Sequence, residues 1–325
     1  MNGIKIDSKL KSQLEEVKTL MQQNVKSGDE LLNGSLDYLL ATGGKMLRPI
    51  LLLAGSKMGR KAKRKEDELI KMAAAIETIH LATLVHDDVI DQSDYRRGQK
   101  TIQSKYGQSY AVYMGDYLLT KCFMMLTHLD LEKELAIRLA KVVSKICVGD
   151  IKQHQKKFDV DITPIQYIKI VAGKTCALIA IALSSGAYHT GASKEHVKLL
   201  AKIGFKIGMI FQLVDDLLDY EGDAEVVGKD LQMDVYRGYY SMPIIFALRD
   251  SSESVELRER LSEDMTSESL NRVYEIIQES GGIDKTKKMV NKYADKTNEL
   301  INKLPNGETK DLLRGLIPYL LDRVH

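Results

Sequence analysis

Two stretches of the chain place three aspartates where like charges would repel one another. In LVHDDVIDQSDYRRGQKT they are Asp87, Asp88 and Asp91, and in FQLVDDLLDY they are Asp215, Asp216 and Asp219. On a helix this i, i+1, i+4 spacing puts all three on one face, so a cation is needed to hold them there. Both clusters interrupt apolar runs, LATLV before one and IGMIFQLV before the other, which a solvated helix face would not require. Burying unpaired carboxylates costs several kcal/mol each. If the two helices oppose these faces, the carboxylates surround one cavity suited to hard divalent cations, magnesium above all. Magnesium favours phosphate oxygens, so the expected ligand is phosphorylated. Arg96 and Arg97, Lys45 and Arg48, Lys174 with Thr175, and Lys229 then supply its remaining counter-charge.

Two neighbouring patterns lead elsewhere and fail. Gly173-Lys174-Thr175 ends like a phosphate-binding P-loop, but that motif needs glycine where Ile168 stands and a strand before it. Glu77 and His80 make one ExxH pair of the di-iron type, and the required second pair is missing. His80 lies two turns before Asp87 on the same helix face, which draws it into the acid site instead.

The elements that must carry these residues are helices. Over 325 residues with only five prolines, apolar positions recur at spacings of three and four, and no period-two alternation appears. The fold class is all-α, one domain over 1–325, its helices beginning or ending near Asp7 to Val25, Asp29 to Thr42, Pro49 to Met58, Glu66 to Ile90, Gly107 to Leu129 and Leu131 to Gln155. Thr163-Pro164 opens another through Leu183, Lys194 to Tyr220 follows, and Pro243 restarts a series that ends near Arg323. Glu221 to Tyr240, rich in glycine and charge, reads as a mobile loop. The basic run GRKAKRK, Gly59 to Lys65, reads as a solvated loop, and a net charge of +2 gives no general attraction for nucleic acid. Cys122, Cys147 and Cys176 lack metal or redox spacing and fit a reduced, cytoplasmic setting. No signal peptide or membrane span is read, so a soluble protein is expected.

The ordered set GGKMLRP, HLATLVHDDVIDQSDYRRGQKT, GKT and FQLVDDLLDYEGDAEVVGKD resembles the trans-type polyprenyl diphosphate synthases over nearly the whole chain. The resemblance implies antiparallel helices around a deep cavity, usually in a homodimer. It also implies extension of an allylic diphosphate, head to tail, by isopentenyl diphosphate. Asp87, Asp88, Asp91 and Asp215, with Asp216 and Asp219, match the metal motifs. Lys45, Arg48, His80 and Arg97 match the positions that hold isopentenyl diphosphate; Arg96, Lys174, Thr175, Gln212 and Lys229 match those around the allylic diphosphate. Two departures stand out: Tyr239 where many members have a second loop lysine, and Gly149, Asp150 and Gln153 where the family has Gly-Glu-x-x-Gln. A class I terpene cyclase would carry an Asn/Ser/Glu-type second motif instead of a second DDxxD. The large subunits of some bacterial medium-chain synthases also resemble this chain and need a small, non-catalytic partner.

Product length should follow from the helix before Asp87. The growing tail, fixed at the acids, would pass Ala82 and Thr83, then Ile79, then Ala75 and Ala74, about one isoprene unit per 5.4 Å turn. Short-chain members of the resembled family block the first of these with aromatics. Small residues here, with Met124 and Met125 closing the tunnel deeper, imply a product of about thirty to fifty carbons on this turn-by-turn count.

Overall fold

The computed structural model describes residues 7–41, 43–221, 233–250, 252–262 and 265–322. Among these, everything ordered into elements is helical except one two-residue hairpin pair. Contacts group the chain into two compact units. The first comprises Met1–Val143, Leu178–Gly204 and Leu304–Gly315; the second comprises Ser144–Ala177, Phe205–Lys303 and Leu316–His325.

The first unit is organised by α4, Glu66–Ile90. Its first turn carries Glu66, Asp67 and Glu68, which complement the exposed amides there, and beyond Leu69 it is almost entirely buried down to Ile79. Against it pack α1 (Ser8–Val25), α3 (Leu47–Ser56) and α6 (Gln108–Thr127). α1 starts where Asp7 Oδ1 accepts the Leu10 amide at 2.7 Å and buries Leu10, Leu14, Val17, Met21 and Val25 at helical spacing. Pro49 falls in the first turn of α3, where no intrahelical amide is needed. α2 (Glu30–Ala41) and α5 (Ile102–Tyr106) complete the region. α9, Ala177–His189, crosses α3 at two glycines: a Cβ on Gly55 would stand 2.0 Å from Leu183 O, and one on Gly186 2.1 Å from Leu52 O. The basic run is more ordered than a solvated loop. Ala62–Lys65 forms a 3-10 turn, the Lys61 amide donates to Thr190 O at 3.0 Å, and Lys65 pairs with Glu68, which also holds the buried His189 at 2.6 Å.

In the second unit α12, Met242–Asp250, packs on α8 (Pro164–Val171), α13 (Ser254–Arg260), α14 (Ser267–Glu279) and α15 (Gly282–Asn302). α8 opens with the expected cap and more: the Thr163 hydroxyl accepts the Gln166 amide while Gln166 Oε1 accepts the Thr163 amide, a capping box. The helix expected to run on to Leu183 is broken by a π turn at Ala172–Cys176, which holds Gly173, Lys174 and Thr175. α7 (Lys133–Gln155), α10 (Lys194–Glu221), α11 (Met233–Tyr236) and α16 (Glu308–Leu321) are the remaining helices. The expected loop from Glu221 to Tyr240 is thus helical at Met233–Tyr236, and residues 222–232 lie outside the described residues. Glu66–Ile90 and Pro164–His189 are long and apolar enough to cross a membrane by length and composition alone, but 67% and 72% of their most apolar windows are buried inside the protein, as in core helices.

Candidate active site

The C-terminal turns of α4 carry the first acid cluster. Asp88 is 5% exposed; its Oδ1 accepts a hydrogen bond from Arg96 Nε at 2.8 Å, and Arg96 Nη2 forms an ion pair with the same oxygen at 2.8 Å. Asp87 and Asp91 are half-buried. Burial pushes the Asp88 carboxyl up to about 6; Arg96 works against that rise, and Asp87 and Asp91 add to it. Arg96 is aimed by the hairpin Tyr95–Arg96 and Gln99–Lys100, whose two-residue turn, Arg97-Gly98, has both φ values positive, 52° and 74°. Arg97 therefore holds a left-handed backbone that arginine seldom adopts, a strain that functional sites tolerate. Its Nη1 donates to Gly43 O, at the loop that carries Lys45.

Arg48, His80 and Glu77 complete this basic group. His80, half-buried, has its imidazole driven well below the usual range by burial and then by Arg48, Arg96 and Arg97, so it is neutral near pH 7. Glu77 is buried and its carboxyl raised by that burial, against the pull of Arg48 and Arg97. Of the tunnel positions, Ala82, Ile79, Ala75 and Ala74 are buried at 1% exposure or less, with Ala82 among Val85, Ala111, Met114 and Leu118. Thr83 remains half-buried on the face of His80 and Asp87. Met125 is buried, whereas Met124 is 50% exposed.

The second cluster lies on α10 and repeats the arrangement. Asp216 is 3% exposed, and Asp215 and Asp219 are half-buried. Asp216 Oδ2 accepts from the Tyr167 hydroxyl and from the Met242 amide at 3.3 Å, and Oδ1 accepts from Gln212 Nε2 at 3.1 Å. Burial pushes Asp216 up to about 7; the three donors pull it down and Asp215 pushes it up. The Thr175 hydroxyl donates to Gln212 Oε1 at 2.8 Å, so the π turn is wired to Asp216 through Gln212. Lys174 donates to Gln153 Oε1 at 2.9 Å and lies 3.2 Å from Asp150 Oδ1, although that oxygen accepts no bond of good geometry. Asp150 and Gln153 thus fill the places of the expected Glu and Gln. At Tyr239, the Lys157 ammonium is 5.8 Å from the ring centroid, within cation-π reach. Lys229 lies outside the described residues.

Among the described residues, no three Asp, Glu, His or Cys side chains are grouped to hold a metal by themselves. A magnesium ion does not demand that, since it takes one or two carboxylates and completes its shell with water and phosphate. Asp87 with Asp91, and Asp215 with Asp219, each one turn apart on a helix face, fit such a partial site. Sequence reasoning missed Tyr167 and the Met242 amide, and it set Glu77 aside, though a lone acid in AAAIETIH was a signal.

Residues 29–277 match the polyprenyl synthetase family. The chain belongs to the polyprenyl synthetase family. Component 2 of the heptaprenyl diphosphate synthase of Geobacillus stearothermophilus is 33% identical over 311 residues, 96% of either chain. The crystal structure of heptaprenyl diphosphate synthase from Staphylococcus aureus superposes with a TM-score of 0.92 at 32% identity, covering 97% of this chain and 98% of that one. A polyprenyl synthase from Caulobacter crescentus CB15, complexed with calcium and isoprenyl diphosphate, gives 0.89 at 29% identity, covering 96% and 94%. The fold is the all-helical isoprenoid synthase fold, and this member of the family is a prenyltransferase that elongates prenyl diphosphates.

Proposed function

We propose that the chain condenses isopentenyl diphosphate head to tail onto an allylic diphosphate, with magnesium held by Asp87, Asp91, Asp215 and Asp219. The observation that carries this assignment is the repeated division within each acid cluster: the buried second aspartate is fixed by protein donors, and the first and fifth positions lie half-exposed. The Caulobacter synthase, complexed with calcium and isoprenyl diphosphate, supports a site for a divalent cation and a diphosphate. Magnesium bound at these acids would neutralise charge developing on the departing diphosphate.

In this reading Arg96, Lys174, Thr175, Gln212 and Lys229 serve the allylic diphosphate, with Asp88 holding Arg96 in aim. Lys45, Arg48, His80 and Arg97 hold isopentenyl diphosphate, and a neutral His80 donates to it without adding to the crowd of guanidiniums. The allylic carbon–oxygen bond breaks and leaves a carbocation in an apolar cavity. The isopentenyl double bond attacks it, a proton leaves the adjacent carbon for the departing diphosphate, and the product is an allylic diphosphate longer by one unit. We read residues 1–325 as one such domain. Thr83, more than the buried Ala82, is the first gate on product length, which we place at about thirty to fifty carbons by turn counting.

The exposed face of α6, with Val112 and Tyr113 about three turns from Phe123 and Met124 on one side of the helix, suits a second copy of the chain, and we favour a cytoplasmic homodimer. The component 2 relative leaves a small partner as the second reading. Steady-state kinetics test the site assignment: Arg97→Ala and His80→Ala should raise the KM for isopentenyl diphosphate with little change for the primer. An effect confined to the primer would contradict it.

A further inference from the structure

Glu77 has no part in the steps above, yet it is a buried carboxylate in the middle of the basic group. It lies on α4 at 8% exposure, and among the described residues its Oε2 has no hydrogen-bond partner. Arg48, in the first turn of α3, has its Nε buried and likewise without a partner among them. A Cβ on Gly44 would stand 3.6 Å from Glu77 Oε1 and 3.8 Å from Arg97 Nη1, so the loop that bears Lys45 comes down over both charges. Burial and then Arg97 disfavour the charged form of Arg48, burial and then Arg96 that of Arg97, and Glu77 favours the charged form of both. Two guanidiniums with nothing negative between them would swing apart toward water, and binding an anion would then have to order both again. One carboxylate against two guanidiniums still leaves a net positive site.

We propose that Glu77 is a positioning residue for isopentenyl diphosphate: its carboxylate gathers Arg48 and Arg97 in the ligand-free protein, and the incoming diphosphate completes their hydrogen bonding. This rests on the reading of Arg48 and Arg97 as the isopentenyl diphosphate site. Among the described residues, both Glu77 and Arg48 carry buried polar atoms with no hydrogen-bond partner, as expected of groups held ready for a further one. The roles differ in that the arginines touch the diphosphate and Glu77 acts through them.

The test is calorimetric binding of isopentenyl diphosphate alone to the full chain, which cannot turn over without a primer. Glu77→Gln should weaken the Kd by about ten- to a hundredfold, through loss of the buried charge that orders both guanidiniums. At saturating substrate its kcat should stay within about threefold of the parent, because no reacting atom is touched. Combined with Arg97→Ala, the loss should be no greater than that of the worse single variant, since both break one unit. An unchanged Kd in folded Glu77→Gln, or losses that simply add, would overturn the proposal. Should Glu77→Gln not fold, Glu77→Asp carries the test: its shorter carboxylate should raise the Kd less but measurably, and an unchanged Kd overturns the proposal. If Arg97→Ala itself leaves the Kd unchanged, the assignment of the site fails instead.

Discussion

Asp88, buried and turned to Arg96, and Asp216, buried and turned to Tyr167, Gln212 and the Met242 amide, are aimed inward, while the half-exposed aspartates beside them face outward, and in our reading this separates roles within each cluster. Asp87→Ala and Asp215→Ala should therefore lower turnover by several powers of ten, measured with saturating magnesium, because each removes a ligand that orients and neutralises the leaving group. Near-normal turnover in either would contradict the metal assignment. Asp216 also sets a pH dependence in the metal-free protein. Its carboxyl lies at about 7 when folded against the ordinary 3.8, so between these values the folded state holds more protons than the unfolded one. Stability from this group is thus full below about 4 and is lost as pH rises through about 7. In chelator, the parent should lose on the order of a few kcal/mol more than Asp216→Asn between pH 5 and pH 8. Equal losses in urea unfolding would rule this out. The aspartates and most cations were legible from type and spacing. Their division of labour was not, because it depends on Arg96 in a hairpin and on Tyr167 and the Met242 amide, remote in sequence and unmarked by any pattern.

Helices position the site through close approaches that a pattern of apolar residues does not encode. The cap at Thr163 could be read directly, since the capping box is local. The π turn that follows could not. It depends on contact with α7, where a Cβ on Gly173 would stand 2.7 Å from Lys145 O and one on Gly149 2.7 Å from the Lys174 amide nitrogen. The hairpin escaped for a related reason, since its turn uses an arginine at positive φ where Asn or Gly would be the sequence signal. Glycines separate the two kinds of position experimentally. Gly186→Ala drives a Cβ against Leu52 O and should cost about 1–3 kcal/mol or more, whereas Gly34→Ala in α2, with nothing within 4 Å, should gain about 0.5–1 kcal/mol. Thermal unfolding of both variants checks the pair, and similar shifts would contradict the α3–α9 crossing. On α4, Thr83→Phe should shorten the main product to about fifteen or twenty carbons, roughly the first helical turn, while the first condensation continues. Ala82→Phe, forced into packed surroundings, should instead lower stability. Parental product length from Thr83→Phe would place the tunnel elsewhere.

At the scale of the whole molecule, family and fold were both legible because four ordered motifs span nearly all of the chain. Assembly was less so, since exposed apolar residues on α6 emerge only once the helix has chosen its buried face. If α6 joins two copies, Tyr113→Lys with Phe123→Glu should convert a dimer to a monomer in sedimentation, and an unaltered profile would exclude this face. The most direct measurement is the purified chain alone, incubated with magnesium, an allylic primer and labelled isopentenyl diphosphate, with products resolved by length. Elongated polyprenyl diphosphate, lost on chelation and in Asp87→Ala, is the predicted result; no elongation by the folded chain until a second subunit is added would contradict it.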